Sequence, residues 1–226
     1  MKLATMIRIM VAKIITMDDY LKKVIAVYDR IAYEYAKGNI AYTPEIEREK
    51  FIDLVKKGGS ILDAGCAAGR DTQYFYNKGL KATGIDLSEK LLDIARRNSP
   101  YVRYKKIDVR KLPFQDNSFD GIYACAVLIH LKREDILPVI QSFHQILKEN
   151  GILFLMMKRG KGEVDIKEEL SSYESRRFTL VEPDELEQWL HDAGFSIIKL
   201  YTWNSQDRWP EGRDVEWISC FAKKVG

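Results

Sequence analysis

Cysteine and histidine are scarce in this chain of 226 residues, and each scarcity closes off a class of protein. The three cysteines, Cys66, Cys125 and Cys220, are odd in number and far apart, so no disulfide framework is written into the sequence. With only His130, His144 and His191 beside them, no Cys/His group has metal-ligand spacing, and no metal is expected. Two of the cysteines lie in apolar strand-like runs, which reads as buried, reduced thiols in a cytoplasmic protein. No apolar run approaches the ~18 residues of a membrane span. The net charge of +3 is small and dispersed, so charge gives no argument for a nucleic-acid partner. The first sixteen residues mix Lys2, Arg8 and Lys13 into their apolar positions and show no small-residue cleavage site. They read as an arm (1–16) rather than a signal, and Met17 offers an alternative start.

What is present is material for a large core: 46% hydrophobic residues, with 31% charged residues to keep the surface wet. The organisation is that of one domain over 1–226, with N-terminal helices over 17–58 and a sheet core over 59–226. From Asp18 to Lys37, Leu21, Val24, Val27, Tyr28, Ile31 and Tyr35 share one helical face, and Gly38 is expected to end the helix. Thr43 should cap a second helix with Pro44 in its first turn. Short apolar runs at 60–66, 81–87, 102–109, 119–128 and 151–158 then alternate with helical patterns at 70–78, 88–98 and 132–149. Such alternation predicts right-handed βαβ units and a parallel sheet covered on both faces. Pro183 opens a last helix, and the runs 195–203 and 216–224 follow with no helix between them, which suits an antiparallel pair. The expected fold is α/β: a doubly wound, mostly parallel seven-stranded sheet with an antiparallel last strand.

The most informative segment is Ile61-Leu62-Asp63-Ala64-Gly65-Cys66-Ala67-Ala68-Gly69-Arg70. Small residues directly after a buried strand let the backbone approach a ligand and turn into a helix N-terminus, which favours an anionic group. Asp86, at the end of the next strand run, would share a crevice with that turn and could accept hydrogen bonds from a ribose. The spacing is not the G-x-G-x-x-G of a dinucleotide site. Asp63, close before the first glycine, would repel a pyrophosphate and attract a sulfonium or ammonium. Asp108 and Val109 close the third run, where an acid and the next backbone N–H could read an adenine edge.

Together LDAGCAAGR, GIDLS, KIDVRKLPFQDNSFDGIYACAVLIHL, LKENGIL and DELEQWLHDAGF resemble the class I S-adenosylmethionine methyltransferases. The nearest likeness is to the small-molecule enzymes of the ubiquinone/menaquinone and tellurite-resistance type. The resemblance implies S-adenosylmethionine as cofactor, with Asp63, Gly65 and Gly69 framing its methionine part and Asp86 on the ribose hydroxyls. It also implies Leu87 against the adenine and Asp108 with Val109 at the adenine edge. Ala67 stands where the family usually has glycine. Arg70 resembles an arginine that some members direct at the methionine carboxylate, though a surface arginine would look the same. Tyr28 and Tyr33 resemble an N-terminal lid whose aromatic hydroxyl touches the cofactor, though core packing would also explain them.

Methyl transfer needs proximity and exclusion of water more than a dedicated catalytic group. His130, after the fourth strand run, is the candidate base, and a structural histidine is the plainer alternative. The charged stretch from Glu163 to Arg177 reads as a solvated loop or helix, or as the rim of an acceptor pocket. The partner expected is a small-molecule methyl acceptor, with the protein a monomer or homodimer. An RNA-modifying methyltransferase and a non-catalytic methyltransferase-like partner protein are the competing classes.

Overall fold

The computed structural model describes residues 2–167, 175–210 and 214–225, with side chains described from residue 21 onward. In chain order the elements are α1 (Lys2–Asn39), α2 (Glu45–Leu54), β1 (Ser60–Ala64), α3 (Arg70–Asn77), β2 (Lys81–Asp86) and α4 (Glu89–Asn98). They continue with β3 (Arg103–Lys106), β4 (Phe119–Cys125), α5 (Arg133–Ile146) and β5 (Leu147–Lys158). The last are β6 (Glu163–Lys167), β7 (Ser175–Thr179), α6 (Pro183–Asp192), β8 (Phe195–Asn204) and β9 (Glu216–Lys224).

Seven strands form one sheet in the order β3-β2-β1-β4-β5-β9-β8. The pairs from β3 to β5 are parallel, whereas β9 runs antiparallel to both β5 and β8. This is the expected mostly parallel sheet with its antiparallel closing strand. Strand order reverses between β1 and β4, so the chain leaves their carboxyl ends in opposite directions and opens a crevice there. The central strands are covered on both faces, and β5 from Gly151 onward has no exposed residue until Arg159. A column of rings fills the middle of the sheet. Tyr123 lies 5.3 Å from Phe51, 4.9 Å from Phe75 and 4.7 Å from Phe154, centroid to centroid.

Helix α2 carries a fully buried acid, Glu47, against the last two strands. Its carboxylate accepts hydrogen bonds from Tyr201 Oη (2.7 Å), Ser219 Oγ (3.1 Å) and Arg208 Nη1 (2.6 Å). The Arg208 guanidinium lies 3.6 Å above the Trp203 ring, so one network binds α2 to the β8–β9 connection.

Four local expectations are corrected. Gly38 does not end α1, which runs on to Asn39 and a short 3-10 turn, Ile40–Tyr42. The reason is that Arg70 donates to the carbonyls of Asn39 (2.8 Å) and Tyr42 (3.3 Å), which satisfies the helix end without a left-handed glycine. Thr43 does not cap α2; its hydroxyl donates back to the Ile40 carbonyl at 2.8 Å, and the helix starts at Glu45 behind Pro44. The helix over 132–149 is shorter at its end, because Leu147 already pairs with Phe119 in the sheet. Finally, in the stretch from Glu163 to Arg177, residues 163–167 and 175–177 belong to the antiparallel pair β6–β7, outside the main sheet, and residues 168–174 lie outside the described residues. Ser88 caps α4 as expected, its Oγ accepting from Leu91 N at 3.2 Å.

Candidate functional site

The turn after β1 is held by backbone geometry that small residues permit. Gly65, Ala67 and Gly69 all have positive φ, at 77°, 47° and 82°. The N–H groups of Gly65 and Cys66 both donate to Ile85 O, at 2.8 and 2.9 Å, which pins the turn to β2. A Cβ at Gly65 would stand 2.5 Å from Val127 Cβ, so glycine is required there by contact as well as by φ. Ala67 adopts its left-handed conformation against a cost of about 1 kcal/mol. The compensation is visible: Asp86 Oδ2 accepts the Ala67 N–H at 2.9 Å. The other carboxylate oxygen, Oδ1, accepts the Ser88 N–H at 2.9 Å, so Asp86 joins the turn to the start of α4. Burial raises the Asp86 carboxyl, and the N–H groups of Ser88, Ala67 and Leu87 only partly oppose it.

Two adjoining chambers open from this turn. The first, of about 760 Å³, is mainly apolar, with Leu21, Val24 and Ile25 of α1 facing Ile85, Leu87, Ile107 and Val109. Asp86 and Asp108 are its acids. The second, of about 960 Å³, holds Asp63, Arg70, Lys158 and Arg176 among Tyr42, Phe178, Trp209 and Trp217. Tyr28, Tyr35, Gly65, Ala67, Cys125, Ala126 and His130 line both, so the chambers share a wall. Gly69 lies behind the turn, where a Cβ would meet Tyr104 Oη at 2.5 Å. Cys66 and Cys125 edge the site, and all three cysteines are free thiols. Among the described residues no group of three His, Cys, Asp or Glu side chains is placed to hold a metal ion.

The structure sorts the sequence candidates. Asp63, Gly65, Ala67, Arg70, Asp86, Leu87, Asp108, Val109, Tyr28 and His130 all reach one chamber or both. Tyr33 does not: it is 73% exposed and lines neither. The tyrosine beside Tyr28 is Tyr35, seven residues on and therefore on the same helical face. The two rings meet edge-on with centroids 5.0 Å apart. Burial, and then the neighbouring Tyr28, push the Tyr35 hydroxyl well above the usual phenol range.

Charge is strongly partitioned. Asp63 is 2% exposed and accepts the Thr72 hydroxyl at 2.5 Å. Its burial first, and nearby Asp71 second, hold its carboxyl far above the usual carboxylate range. Arg70 grips Asp71 through two bonds, at 3.0 and 2.6 Å, while its Nη1 holds the end of α1. Asp108 is clamped by Arg110, whose Nη2 donates to Oδ2 at 2.6 Å and whose backbone N–H donates to Oδ1 at 2.9 Å. Burial alone would raise the Asp108 carboxyl, and Arg110 overcomes it, leaving the group below its ordinary value. Part of its accepting capacity is therefore already committed.

At the shared wall, Arg176 Nη1 donates to Tyr28 Oη at 2.5 Å, and that hydroxyl lies 2.9 Å from His130 Nε2. The other ring nitrogen, Nδ1, lies 3.4 Å from the Arg177 carbonyl. The Arg177 carbonyl beside Nδ1 can only accept, which favours a proton on Nδ1 and leaves Nε2 to accept the Tyr28 hydroxyl. Sequence reasoning missed Tyr35, Lys158, Arg176, Trp209 and Trp217. The apolar heptad of α1 contained the signal for Tyr35. The others reach the site through strand ends and a connection whose pairing a linear pattern does not show.

A methyltransferase-domain family profile matches residues 61–151, from β1 into β5. An uncharacterised methyltransferase of Synechocystis is 29% identical over 102 residues, covering 45% of this chain and 48% of that protein. The chain thus spans about half the length of some curated relatives that it matches. A ubiquinone biosynthesis O-methyltransferase of Xanthomonas campestris is 27% identical over 185 residues, 74% of this chain and 77% of that enzyme. Among solved structures, a Burkholderia thailandensis 1,6-didemethyltoxoflavin-N1-methyltransferase with bound S-adenosylhomocysteine superimposes with a TM-score of 0.68. It is 19% identical and covers 93% of this chain and 91% of its own, a likeness of fold. Strand order, the glycine turn and the matched residues agree. The chain carries a methyltransferase domain over residues 61–151 on a fold shared with S-adenosylmethionine-dependent methyltransferases.

Proposed function

We propose that this protein moves a methyl group from S-adenosylmethionine to a small-molecule acceptor. The observation that carries the reading is the placement of Asp63 and Asp86 on neighbouring strand ends, on either side of one glycine turn, at the mouths of two joined chambers. The donor set fits the cofactor. The first chamber offers Leu87, Ile107 and Val109 to a flat base and the Asp86 carboxylate to a ribose. Asp63, an acid buried without a cation of its own in direct contact, suits an ammonium or sulfonium.

When bound, the cofactor supplies a methyl group on a positively charged sulfur, and the protein's part is to bind, align and exclude water. Asp108 and Val109 would meet the adenine edge, with Arg110 sharing the carboxylate. Arg70 acts through the lid: by holding the end of α1 it keeps Tyr28 and Tyr35 over both chambers. An acceptor hydroxyl or amine gives up a proton, and the Tyr28 hydroxyl can pass it to His130 Nε2. The aromatic residues of the second chamber are enclosed rather than spread on an open basic face, which favours a small molecule over RNA.

Calorimetry with S-adenosylmethionine, S-adenosylhomocysteine and NAD tests the cofactor, with binding expected for the first two alone. NAD binding without a response to the sulfonium would overturn it. Labelled-methyl transfer to size-fractionated metabolites and to RNA then separates the acceptor classes, with label expected in the small fraction.

A further inference from the structure

We infer that Glu47 is a positioning residue for the methyl acceptor: it lines neither chamber, yet it sets two tryptophans in the wall of the second. The inference rests on the function proposed above. A buried ion pair is often no more stabilising than apolar residues of the same volume, which leaves the fixing of one geometry as its use. Glu47 is fully buried, and the Arg208 side chain that answers it is 18% exposed. Burial alone would raise the Glu47 carboxyl, and the bonds from Arg208 and Tyr201 hold it below its ordinary value, so the charge is kept.

What the charge fixes is Trp203, which also lines neither chamber. The Arg208 guanidinium, 2.6 Å from Glu47 Oε2, lies over the Trp203 ring with Cζ 3.6 Å from the centroid. The indole N–H donates to Ser219 Oγ at 2.9 Å, and Ser219 Oγ donates in turn to Glu47 Oε1 at 3.1 Å. Trp203 is thus held at its face and at its nitrogen, and both holds end on one carboxylate. Its ring meets Trp209 edge-on with centroids 5.5 Å apart, and stacks on its register partner Trp217 at 6.3 Å. Those two rings do line the second chamber. Trp209 follows Arg208 in the chain, and the backbone N–H groups of both donate to the Ser205 carbonyl, at 2.8 and 3.2 Å, so a shift of Arg208 carries Trp209 with it. On its other side Trp209 meets Tyr42 edge-on at 5.5 Å, so the segment that carries the acid also carries the ring against which Trp209 rests. Tyr42, Trp209 and Trp217 line the second chamber and not the first. Loss of the Glu47 charge should therefore loosen the acceptor wall and leave cofactor binding as it is.

The test labels the full chain with 5-fluorotryptophan and follows its four tryptophans by fluorine NMR, each assigned by its replacement with phenylalanine. Glu47→Gln should displace or broaden the Trp209 and Trp217 resonances, while that of Trp189, on α6, stays in place. In calorimetry the variant should bind S-adenosylhomocysteine within about threefold of the parent. With labelled-methyl transfer into the small-metabolite fraction, the half-saturating amount of that fraction should rise about tenfold, and the maximal rate should change by less than about threefold. The double variant Glu47→Gln/Arg208→Met removes the stranded cation, so part of its stability in urea should return. A role in stability alone would bring back the resonances and the half-saturating amount with it; positioning leaves both displaced. The double variant carries the test by itself if Glu47→Gln fails to fold. Trp209 and Trp217 resonances that stay in place, or that return in the double variant, would overturn the inference. So would a fall in maximal rate with half-saturation unchanged. Failure of the parent to bind S-adenosylhomocysteine, or to label the small fraction, would instead sink the proposed function, and the fluorine spectra would still decide the positioning.

Discussion

Replacing Asp63 by asparagine should stabilise the protein and weaken its hold on the cofactor, two effects of opposite sign from one carboxylate. The side chain keeps its shape, and the amide oxygen can still accept the Thr72 hydroxyl that now stands 2.5 Å away. What disappears is a buried charge. Burial, then Asp71, push the Asp63 carboxyl from 3.8 up to about 8, against the Thr72 hydrogen bond and Arg70. A carboxyl whose value is higher folded than unfolded gives its full stabilisation below about 3.8 and loses it as pH rises through about 8. The ligand-free protein should therefore weaken between pH 5 and pH 9, and Asp63→Asn should flatten that decline. A shift of roughly four units corresponds to a ceiling of about 5–6 kcal/mol. Water in the chamber screens part of the penalty, so a gain of about 2 kcal/mol at pH 9 is the working expectation. For a chain of this size that raises Tm by roughly 4–8 °C. Thermal unfolding of both proteins at pH 5 and 9, with and without S-adenosylhomocysteine, reads each effect. At pH 5 the variant's advantage should be about a third of that at pH 9, where without ligand it should be clearly the more stable. With ligand, whose ammonium Asp63 would face, the parent should gain more. A variant less stable than the parent at pH 9, or an offset equal at both pH values, refutes the reasoning.

Further outcomes follow from other contacts. Asp86→Ala should raise the dissociation constant for S-adenosylhomocysteine by about a hundredfold or more in calorimetry, since two charge-assisted bonds at roughly 1.5–3 kcal/mol each would be lost and the turn at Ala67 released. Tyr35→Ala should weaken the same binding while Tyr33→Ala leaves it unchanged; equal effects would return Tyr33 to the lid. Glu47→Gln should cost about 3 kcal/mol in urea unfolding by leaving Arg208 without its buried partner, and adding Arg208→Met should recover part of it. An additive double mutant would show that the pair is not coupled.

The sheet was legible because its central strands are short apolar runs, and because glycine and proline punctuate the helices between them. The cofactor turn was legible for the same local reason: strand, small residues and helix follow one another in sequence. Helix ends were less so, since the end of α1 is satisfied by Arg70, far along the chain, and no capping residue announces it. Tyr33 was misplaced because a tyrosine-rich segment does not say which tyrosine faces inward until the helical phase is followed from Tyr28 to Tyr35. The acceptor chamber was least legible. Arg176 looked like one charge in a solvated run, and only the β6–β7 pairing turns it inward toward Tyr28. Trp209 depends on a connection that bears no periodic pattern at all.

The Glu47 network has a bearing on how the chain is made. Glu47 is synthesised well before Tyr201, Arg208 and Ser219, which follow it by 154, 161 and 172 positions. Until those residues emerge, docking α2 on the growing sheet would strand a carboxylate without donors. On this reasoning the helix should stay hydrated until those three residues have emerged. Pairings this remote slow folding because the intervening chain must first be drawn together. A nascent chain stalled before residue 201 should leave α2 open to protease, and release of the last two strands should close it.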